Sequence, residues 1–436
     1  MNGSPKFRIV AVLLTLIVGG LFAGLLTMTA TSTTTADPGL HVPGAPNNLG
    51  SYKEFTSNVT EPLSAFYDIP PNLGNDTPGT ILKWEPIKGA PAGTVAYRIM
   101  YRSTNVDGTP AAITGAFFDQ ATPGPANGRP LVGFAHGTVG MGRYCGISQA
   151  PFQPGLQGVL FWDSQIQPLV AAGYAVVATD FEDMGAAGTP SYLVAQSEAY
   201  AVLDSMRAAG TQFQDRIDPN NEVLFGHSQG GQGSLAAAAY WQDYAPDLAI
   251  RGAVSEAPGI IIGLPIVAKQ LVASTTGSSA SSRGEFLAYL TKSWTATFPN
   301  QLQASDVLTP EGLAMLPLTG KLCGSAFSEK FNKPLAAYVK EDIPPQLVKL
   351  LNENVPVEPI PMPILFTQGL ADTTIVPQFT MAAYKTMCQY GSNVALREYE
   401  DTTHTQLLIE ARADAIDWLN ARVTGEPAQS TCAEAK

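Results

Sequence analysis

The chain is poor in charged residues and in histidine. Charged residues make up 14% of its 436 residues, and 25 lysines and arginines against 37 aspartates and glutamates leave a net charge of −12. No basic run lies outside the extreme N-terminus, so nothing in the sequence neutralises a row of phosphates, and nucleic acid is excluded as a partner. Because the chain has only four histidines, a reaction that needs an imidazole base has few candidates for it.

Motifs for metals and for nucleotide cofactors are also missing. The sequence has no H-E-x-x-H motif and no closely spaced pair of cysteines or histidines, so no metal site is expected. It has no Walker loop, and no G-x-G-x-x-G follows the first predicted strand. The prediction is a protein that works with its own side chains and needs no cofactor.

The N-terminal residues have the layout of an export signal. Two basic residues precede an apolar stretch from Ile9 to about Leu26, and a Thr/Ala-rich segment follows. Cleavage after Ala36 would release a secreted, extracellular protein. The stretch also reaches the length at which a membrane span becomes possible, about 18 residues, so an uncleaved anchor is the alternative. Residues 1–36 are therefore predicted to be a signal peptide or an N-terminal anchor.

All four cysteines lie beyond that N-terminal segment. An even number of cysteines in an exported chain indicates two disulfides, and four cysteines allow three pairings. We favour the pairs Cys145–Cys323 and Cys388–Cys432, the second of which would join the last residues to the body of the protein. Free buried thiols are the alternative if the chain is not exported.

The order of strand-like and helix-like segments predicts an α/β fold. Residues 37–93 are rich in proline, glycine and asparagine and show no sustained periodicity, which indicates an irregular N-terminal wrap. Two apolar runs around the turn sequence N-V-D-G then predict a β-hairpin. From about residue 129 strands and helices alternate, which favours a mostly parallel sheet with helices on both faces.

This alternation lapses between residues 260 and 358 and then resumes. The intervening residues contain short helical patterns separated by prolines, and their number exceeds that of ordinary loops. We therefore predict that residues 94–259 and 359–436 form the sheet domain and that residues 260–358 form an inserted cap.

One serine lies among glycines between a predicted strand and a predicted helix. Gly226-His227-Ser228-Gln229-Gly230 is a G-x-S-x-G motif, and this context predicts a nucleophile elbow. A sharp turn brings neighbouring backbone close, so Gly226 and Gly230 are expected to be positions that must lack a Cβ. Ser228 is the predicted nucleophile, and a glycine-rich turn without a catalytic role is the alternative.

A serine hydroxyl needs a neighbouring base, and that base needs a carboxylate that orients it. In hydrolases of this kind the order along the chain is serine, acid, histidine. His41, His136 and His227 precede or adjoin the serine, which leaves His404 as the predicted base. Asp372 follows the next-to-last predicted strand and is the predicted acid.

Other acidic residues near these positions are interpreted as solvated charges. Glu398, Glu400 and Asp401 are alternatives for the acid because they are close to the histidine in sequence, but they lie on the same predicted strand or at its end. Asp180 and Asp183 close an earlier predicted strand and have no visible partner, so solvated loop positions are the favoured interpretation for both.

The tetrahedral intermediate of such a reaction needs backbone N–H donors for its oxyanion. Gln229, the residue after the nucleophile, is expected to supply one donor. The loop H-G-T-V-G-M-G after an earlier predicted strand is expected to supply the second, with Thr138 as the candidate. His136 is interpreted as a structural residue of that loop, with a plain turn residue as the alternative.

The apolar residues of the predicted cap indicate what kind of substrate the serine would meet. The inserted segment carries Phe286, Leu287 and Leu290 among many other apolar residues, which are sufficient for a small core of its own. A cap at this point of the fold covers the serine, so some of these side chains are also expected to line an apolar pocket. This indicates hydrophobic esters as substrates.

Taken in order, these motifs resemble the secretory lipase family of α/β-hydrolases. The resemblance extends over roughly residues 94–423 and is carried by A-H-G-T with Cys145 downstream, G-H-S-Q-G-G-Q-G-S-L-A-A, A-V-S-E-A-P-G, G-L-A-D-T-T-I-V-P and T-H-T-Q. It implies a Ser228, Asp372 and His404 triad, a helical lid, two disulfides and activity on acylglycerols or other lipid esters, with contact to a lipid interface.

The leading hypothesis is an exported serine esterase or lipase that acts through an acyl-enzyme. Because a fold does not specify the acceptor or the bond that is cleaved, an acyltransferase or a serine peptidase with the same triad is the first alternative. A non-catalytic ectodomain with the fold of a hydrolase is the second alternative.

Overall fold

The computed structural model describes residues 63–73, 76–153, 157–188, 191–260 and 278–435. The predicted signal or anchor, residues 1–36, lies outside the described residues, as do residues 37–62 and 74–75 of the predicted wrap. In the described part of the chain none of the helices is both long and apolar enough to cross a lipid bilayer.

Nine strands of the described residues form one sheet in the order β1-β2-β3-β5-β4-β6-β7-β8-β9. Their bounds are β1 Ile81–Pro86, β2 Thr94–Thr104, β3 Pro110–Gln120, β4 Arg129–Ala135, β5 Ala175–Thr179, β6 Ile217–His227, β7 Ile250–Glu256, β8 Ile364–Gly369 and β9 Val394–Tyr399. Strands β4 to β9 pair in parallel, whereas β1, β2 and β3 are antiparallel to their neighbours. The mostly parallel sheet is the predicted one.

The described helices follow the strands and fill the region between β7 and β8. They are α1 Gln157–Phe161, α2 Gln167–Ala171, α3 Ala195–Gln212, α4 Gln229–Tyr244, α5 Ser278–Thr297, α6 Ala304–Val307, α7 Pro310–Met315, α8 Gly324–Ser328, α9 Pro345–Glu353, α10 Pro377–Gln389, α11 Leu407–Glu410 and α12 Arg412–Val423. Short 3-10 turns lie at Ala65–Tyr67, Arg143–Cys145, Ile147–Gln149, Leu316–Leu318, Leu335–Ala337 and Cys432–Glu434, and a π-helical turn joins α1 to α2 at Trp162–Ile166.

Helices cover both faces of the sheet, as β7 shows. The hydroxyl of Ser255 donates a hydrogen bond of 2.7 Å to the carbonyl of Gly231 in α4. Three residues earlier, a Cβ on Gly252 would lie 2.8 Å from the ring of Trp418 in α12. Because successive residues of a strand point to opposite faces, α4 and α12 lie on opposite sides of the sheet.

The hairpin prediction is confirmed. Strands β2 and β3 pair without interruption from Thr94 opposite Gln120 to Thr104 opposite Pro110. The side-chain carboxylate of Asp107 accepts a hydrogen bond of 2.9 Å from the backbone N–H of Thr109, which holds the turn between them. The turn residues of the sequence therefore form the turn that their chemistry predicts.

One part of the predicted irregular wrap, residues 37–93, is instead a strand. Ile81–Pro86 forms β1 and pairs antiparallel with β2 at the edge of the sheet. An edge strand buries little of either face, and Trp84 remains 48% exposed. The prediction is wrong there because such a strand needs no alternating or continuous apolar pattern.

The residues between β7 and β8 pack into a second apolar cluster. Its buried members come mainly from α5, from the segments that follow it and from the turn before α3; they are Met141, Tyr192, Leu193, Val194, Ala288, Tyr289, Leu290, Trp294, Leu302, Val307, Leu308, Phe327, Phe331, Leu335, Tyr338, Val339, Leu347 and Leu350. The inserted residues thus have a core of their own. That they form a cap over the site, with bounds at 260 and 358, remains a prediction.

The two favoured disulfides are present. Cys145 is bonded to Cys323, which joins the segment after β4 to the inserted region, and Cys388 is bonded to Cys432. The second bond ties the C-terminal residues to α10, as expected. Long loops closed in this way restrict the unfolded chain and so stabilise the native state.

Candidate active site

Ser228 lies on a strained turn between a strand and a helix. Strand β6 ends at His227, helix α4 begins at Gln229, and Ser228 between them has φ 60° and ψ −119°. A non-glycine residue rarely adopts a positive φ, and such strain is found mostly where a side chain must be presented for function. The turn lifts Ser228 out of both elements at the carboxyl end of the sheet.

The glycines on either side of Ser228 lie against neighbouring backbone. A Cβ on Gly226 would lie 2.0 Å from the carbonyl oxygen of Gly230. A Cβ on Gly230 would lie 1.8 Å from the carbonyl oxygen of Ala135, in β4. No side chain fits at these distances, so both positions require glycine.

Replacing Gly230 by alanine is expected to lower the free energy of unfolding by about 3 kcal/mol or more, because the backbone of α4 must move away from β4. Gly210 is a matched control, because a Cβ there meets nothing within 4 Å. Since alanine is the better helix former, Gly210→Ala is expected to be neutral or stabilising by up to about 1 kcal/mol. Urea unfolding of both variants measures the difference, and equal midpoints would contradict the close contact.

His404 and Asp372 form a hydrogen-bonded pair. Nδ1 of His404 lies 2.6 Å from Oδ2 of Asp372, and the side chain of Asp372 is fully buried whereas that of His404 is 14% exposed. The other carboxylate oxygen, Oδ1, accepts the backbone N–H groups of Thr374 at 2.8 Å and Ile375 at 2.9 Å. Nε2 of Gln368 donates a further hydrogen bond of 3.3 Å to Oδ2.

The same histidine contacts the residue that precedes the strained serine. The ring of His404 is 4.5 Å from that of His227, measured between centroids, and His227 directly precedes Ser228. Nε2 of His227 donates a hydrogen bond of 3.0 Å to the backbone carbonyl of His404. Because burial lowers the pKa of His227 well below its usual value, its ring stays neutral. This hydrogen bond therefore holds the backbone of His404 against His227, the last residue of β6.

The competing acids lie elsewhere. Glu398, Glu400 and Asp401 are exposed at the end of β9 and in the loop that follows it. The imidazole nitrogen that an orienting carboxylate must reach is already bonded to Asp372. The geometry thus favours Asp372 over the three acids nearer to His404 in sequence.

Gln229 begins helix α4 and lines the same cavity as Ser228. The first N–H groups of a helix have no partner within the helix and carry partial positive charge. The backbone N–H of Ser228 itself donates to the carbonyl of Glu256 at 2.9 Å. The N–H of Gln229 is therefore the first N–H of α4, on the residue next to Ser228 and at the same cavity.

Thr138 lies in the loop after β4, which packs against the elbow. A Cβ on the preceding residue, Gly137, would lie 3.3 Å from the carbonyl oxygen of His227. The Thr138 hydroxyl is hydrogen-bonded at 3.0 Å to the hydroxyl of Tyr192, and Tyr192 lines the cavity. Thr138 is thus linked to the cavity through Tyr192, rather than lining the cavity itself.

His136 has the environment of a structural residue. It is fully buried, its Nδ1 lies 2.7 Å from the carbonyl of Gly137, and its ring packs edge-on against Phe181 at 5.0 Å. Burial lowers its pKa to about 4. The ring is therefore neutral and packs below the loop, as the sequence interpretation expects.

The interpretation of Asp180 as a solvated acid is wrong. Its side chain is completely buried and accepts hydrogen bonds from the hydroxyl of Thr114 at 2.6 Å and the backbone N–H of Ser148 at 2.9 Å. Burial raises its pKa. The segment that covers it comes from a distant part of the chain, so its burial left no local pattern. Asp183 is partly buried, and burial raises its pKa to about 6.

Two buried glutamates near the elbow have no counterpart in the sequence predictions. Glu256 accepts a hydrogen bond of 2.7 Å from the side chain of Gln165, and burial raises its pKa to about 8. Glu198, in the first turn of α3, contacts the side chain of Gln229. An acid in the first turn of a helix is common for reasons unrelated to a site, so the position of Glu198 carries no signal in the sequence, and Glu256 is the last residue of β7.

The cavity at Ser228 is lined almost entirely by apolar side chains. It has an empty volume of about 1150 Å³, which includes part of its opening to solvent. Residues from the inserted region, from the segment before α10 and from α10 itself form its walls, among them Phe286, Leu287, Leu290, Leu347, Ile375 and Phe379. The predicted contribution of the inserted residues to an apolar pocket is therefore seen for Phe286, Leu287 and Leu290.

Residues 161–270, which contain the elbow, match the model of the family described as secretory lipase. The chain is related to the secretory lipases. Lipase A of Arthroderma benhamiae is 27% identical over 393 residues, which cover 84% of this chain and 80% of that protein. Both matches are thus to proteins described as lipases.

A second relative and a solved structure extend this comparison with the secretory lipases. A Mycobacterium tuberculosis protein named probable inactive lipase is 25% identical over 389 residues, covering 83% of this chain and 82% of that protein. The crystal structure of Candida antarctica lipase A superimposes with a TM-score of 0.68 at 18% identity, covering 84% of this chain and 87% of that one. The structural likeness establishes the α/β-hydrolase fold.

Proposed function

We propose that the protein is an exported serine hydrolase that cleaves carboxylic esters of hydrophobic or lipid substrates through an acyl-enzyme. The observation that carries the proposal is the hydrogen-bonded Asp372–His404 pair, which contacts the residue before a serine in a strained turn at an apolar cavity. Ser228 is the proposed nucleophile, His404 the base, and Asp372 the acid that orients the ring.

The reaction follows from these positions. The hydroxyl oxygen of Ser228 bonds to the ester carbonyl carbon while its proton passes to Nε2 of His404. As the tetrahedral intermediate collapses, the alcohol leaves with that proton, and the acyl group remains on the serine. Water then attacks the acyl carbon, gives a proton to His404, and the acid leaves as the serine regains its proton. Asp372 stabilises the imidazolium in both halves.

The oxyanion of each tetrahedral intermediate needs preorganised donors. We propose the backbone N–H of Gln229 as the first donor, because it opens a helix and lines the cavity with Ser228. Thr138 remains the proposed second donor, through its position in the loop that packs against His227. The two donors belong to different strand ends, β6 and β4, which are adjacent in the sheet.

The cavity supports an apolar acyl or alcohol group as the part of the substrate next to the ester. Each apolar CH₂ transferred from water to such a wall gains about 0.8 kcal/mol. The family match and the disulfides support export and substrates that are lipid esters, such as acylglycerols, met at a lipid interface. The inserted residues 260–358 would act as the cap over this cavity.

Labelling by alkyl p-nitrophenyl phosphonates of increasing chain length tests the nucleophile and the cavity together. We expect one phosphonyl group per chain, mapped by mass spectrometry to Ser228, with rates that rise with chain length. Ser228→Ala is the control and should take up no label. Stoichiometric label on another residue, or rates independent of chain length, would contradict the proposal.

A panel of matched esters, amides and alcohol acceptors separates hydrolysis from its alternatives. Faster turnover of amides than of esters would favour a peptidase, and transfer to an added alcohol that outpaces hydrolysis would favour an acyltransferase. The relative named probable inactive lipase gives the non-catalytic alternative a specific basis. Complete failure of every phosphonate to label the folded protein would support that alternative.

A further inference from the structure

Glu198 is a buried carboxyl group behind the proposed oxyanion site. Its side chain is fully buried, and Oε1 accepts two hydrogen bonds of 2.9 Å, one from the backbone N–H of Leu193 and one from Nε2 of Gln229. Within the described residues Oε2 has no hydrogen-bond partner. Burying a charged carboxyl group costs free energy, and a buried polar atom without a hydrogen-bond partner is unusual. Such a residue is a candidate for a functional role.

The two groups that Glu198 holds both border the cavity. Gln229 supplies the proposed N–H donor, and a fixed side chain restrains the backbone that carries this donor. Leu193 has a positive φ of 55° and also lines the cavity. A Cβ on Gly259 would lie 3.0 Å from Leu193 Cδ2, so Leu193 packs tightly against the segment after β7.

The residue before Leu193 extends this link to the other proposed donor. The hydroxyl of Tyr192 contacts that of Thr138 at 3.0 Å, and the backbone carbonyl of Tyr192 accepts a hydrogen bond of 3.1 Å from Nε1 of Trp294 in α5. The short segment of Tyr192 and Leu193 therefore touches Thr138, the inserted helix α5 and, through Glu198, Gln229. A substitution at Glu198 is therefore expected to affect the positions of both proposed oxyanion donors, Gln229 directly and Thr138 through Tyr192 and Leu193.

We propose that Glu198 is a positioning residue of the oxyanion site, which fixes the side chain of Gln229 and the backbone of Leu193 so that the Gln229 N–H points at the reacting carbonyl. This inference rests on the proposed function. Glu198 contacts neither the substrate nor the reacting atoms and acts through Gln229.

Burial also affects the protonation of Glu198. It raises the pKa of this carboxyl group to about 8, which favours the neutral form at pH 7. Of the elements around it, α4 presents the uncharged amide of Gln229, and the preceding segment presents Tyr192, whose pKa is raised by burial. Above about pH 8 an anion at Glu198 would repel the developing oxyanion and lower kcat.

Two substitutions test the role of Glu198. Loss of one oxyanion donor costs about 100- to 1000-fold in kcat, and misplacement costs less, so Glu198→Ala is expected to lower kcat about 10- to 100-fold with little change in KM. Glu198→Gln keeps an acceptor for both N–H groups and cannot ionise. It is expected to retain most of the activity at pH 7 and to abolish the fall in kcat above pH 8.

Glu222 is the matched control for a buried carboxyl group. It lies in β6, accepts a hydrogen bond from the backbone N–H of Ala249, and burial raises its pKa to about 7. Glu222→Ala and Glu222→Gln are expected to change the thermal midpoint of unfolding but to leave the shape of the kcat profile against pH unaltered. This separates loss of stability from loss of positioning.

The outcomes of these experiments are distinct. A wild-type protein without activity or phosphonate labelling overturns the proposed function. An active wild type together with a folded Glu198→Ala variant of unchanged kcat, or a Glu198→Gln variant that keeps the alkaline loss, overturns the role of Glu198 and leaves the proposed function intact. If Glu198→Ala does not fold, the pH profile of Glu198→Gln decides.

Discussion

Ester hydrolysis by the Ser228→Ala variant is expected to be about a million-fold slower than by the wild type, because without the hydroxyl no acyl-enzyme can form. The residual rate would come from binding and from the oxyanion donors alone. Alanine keeps the Cβ of serine, so the strained φ of 60° is no more costly than before. The fold, and hence the cavity, should survive the substitution.

The measurement is kcat for a p-nitrophenyl ester with an aliphatic acyl chain. Ser234→Ala is the control, because Ser234 is a buried serine of α4, the helix after Ser228, and its hydroxyl lies 3.1 Å from the carbonyl of Gly231 and 3.0 Å from that of Val254. This variant is expected to lose some stability and to keep its activity. A Ser228→Ala protein with more than a few per cent of wild-type kcat would exclude Ser228 as the nucleophile.

Replacing Asp372 by asparagine is expected to lower kcat about ten-thousand-fold. The carboxylate accepts the proton on Nδ1 of His404 and leaves Nε2 free to take a proton from serine. The amide of asparagine can donate to Nδ1, which favours the tautomer with its proton on Nε2. That tautomer cannot act as a base towards Ser228, although the shape of the site is unchanged.

Asp401→Asn is the matched control for this substitution. Asp401 is close to His404 in sequence, is exposed and has a φ of 52°, a conformation that asparagine tolerates well. We expect its activity to lie within about twofold of the wild type. If Asp401→Asn were the more damaging of the two, the acid would be the neighbour in sequence, and the geometry at Asp372 would have a structural role alone.

The proposed nucleophile, base and acid could all be identified before any coordinates were known, and the reason is local. A strand followed by G-x-S-x-G and a helix can turn in few ways, since Gly226 and Gly230 lie against backbone. With only four histidines in the chain, the order of elements leaves His404. The hairpin of β2 and β3 is likewise encoded by neighbouring residues.

The features that the sequence analysis predicted wrongly or missed share another cause, which is that they depend on distant residues. Strand β1 is held by pairing with β2, and its own residues carry no pattern. Asp180 looks like a loop acid until Ser148 and Thr114 cover it. Glu198 occupies an ordinary position in the first turn of α3, and its importance arises from Gln229 and Leu193. Each of these properties depends on residues far away in sequence.

The amino-acid order was enough to predict the alternation of strands and helices and the turn at Ser228, because these depend on short-range geometry. It left three cysteine pairings open, of which the favoured one is present. The folded molecule alone revealed which carboxyl groups are buried, which wall the inserted helices present to the serine, and which side chain lies behind the proposed oxyanion donor. The burial of a side chain depends on its contacts with residues from many distant parts of the sequence, so it cannot be read from the neighbouring residues alone.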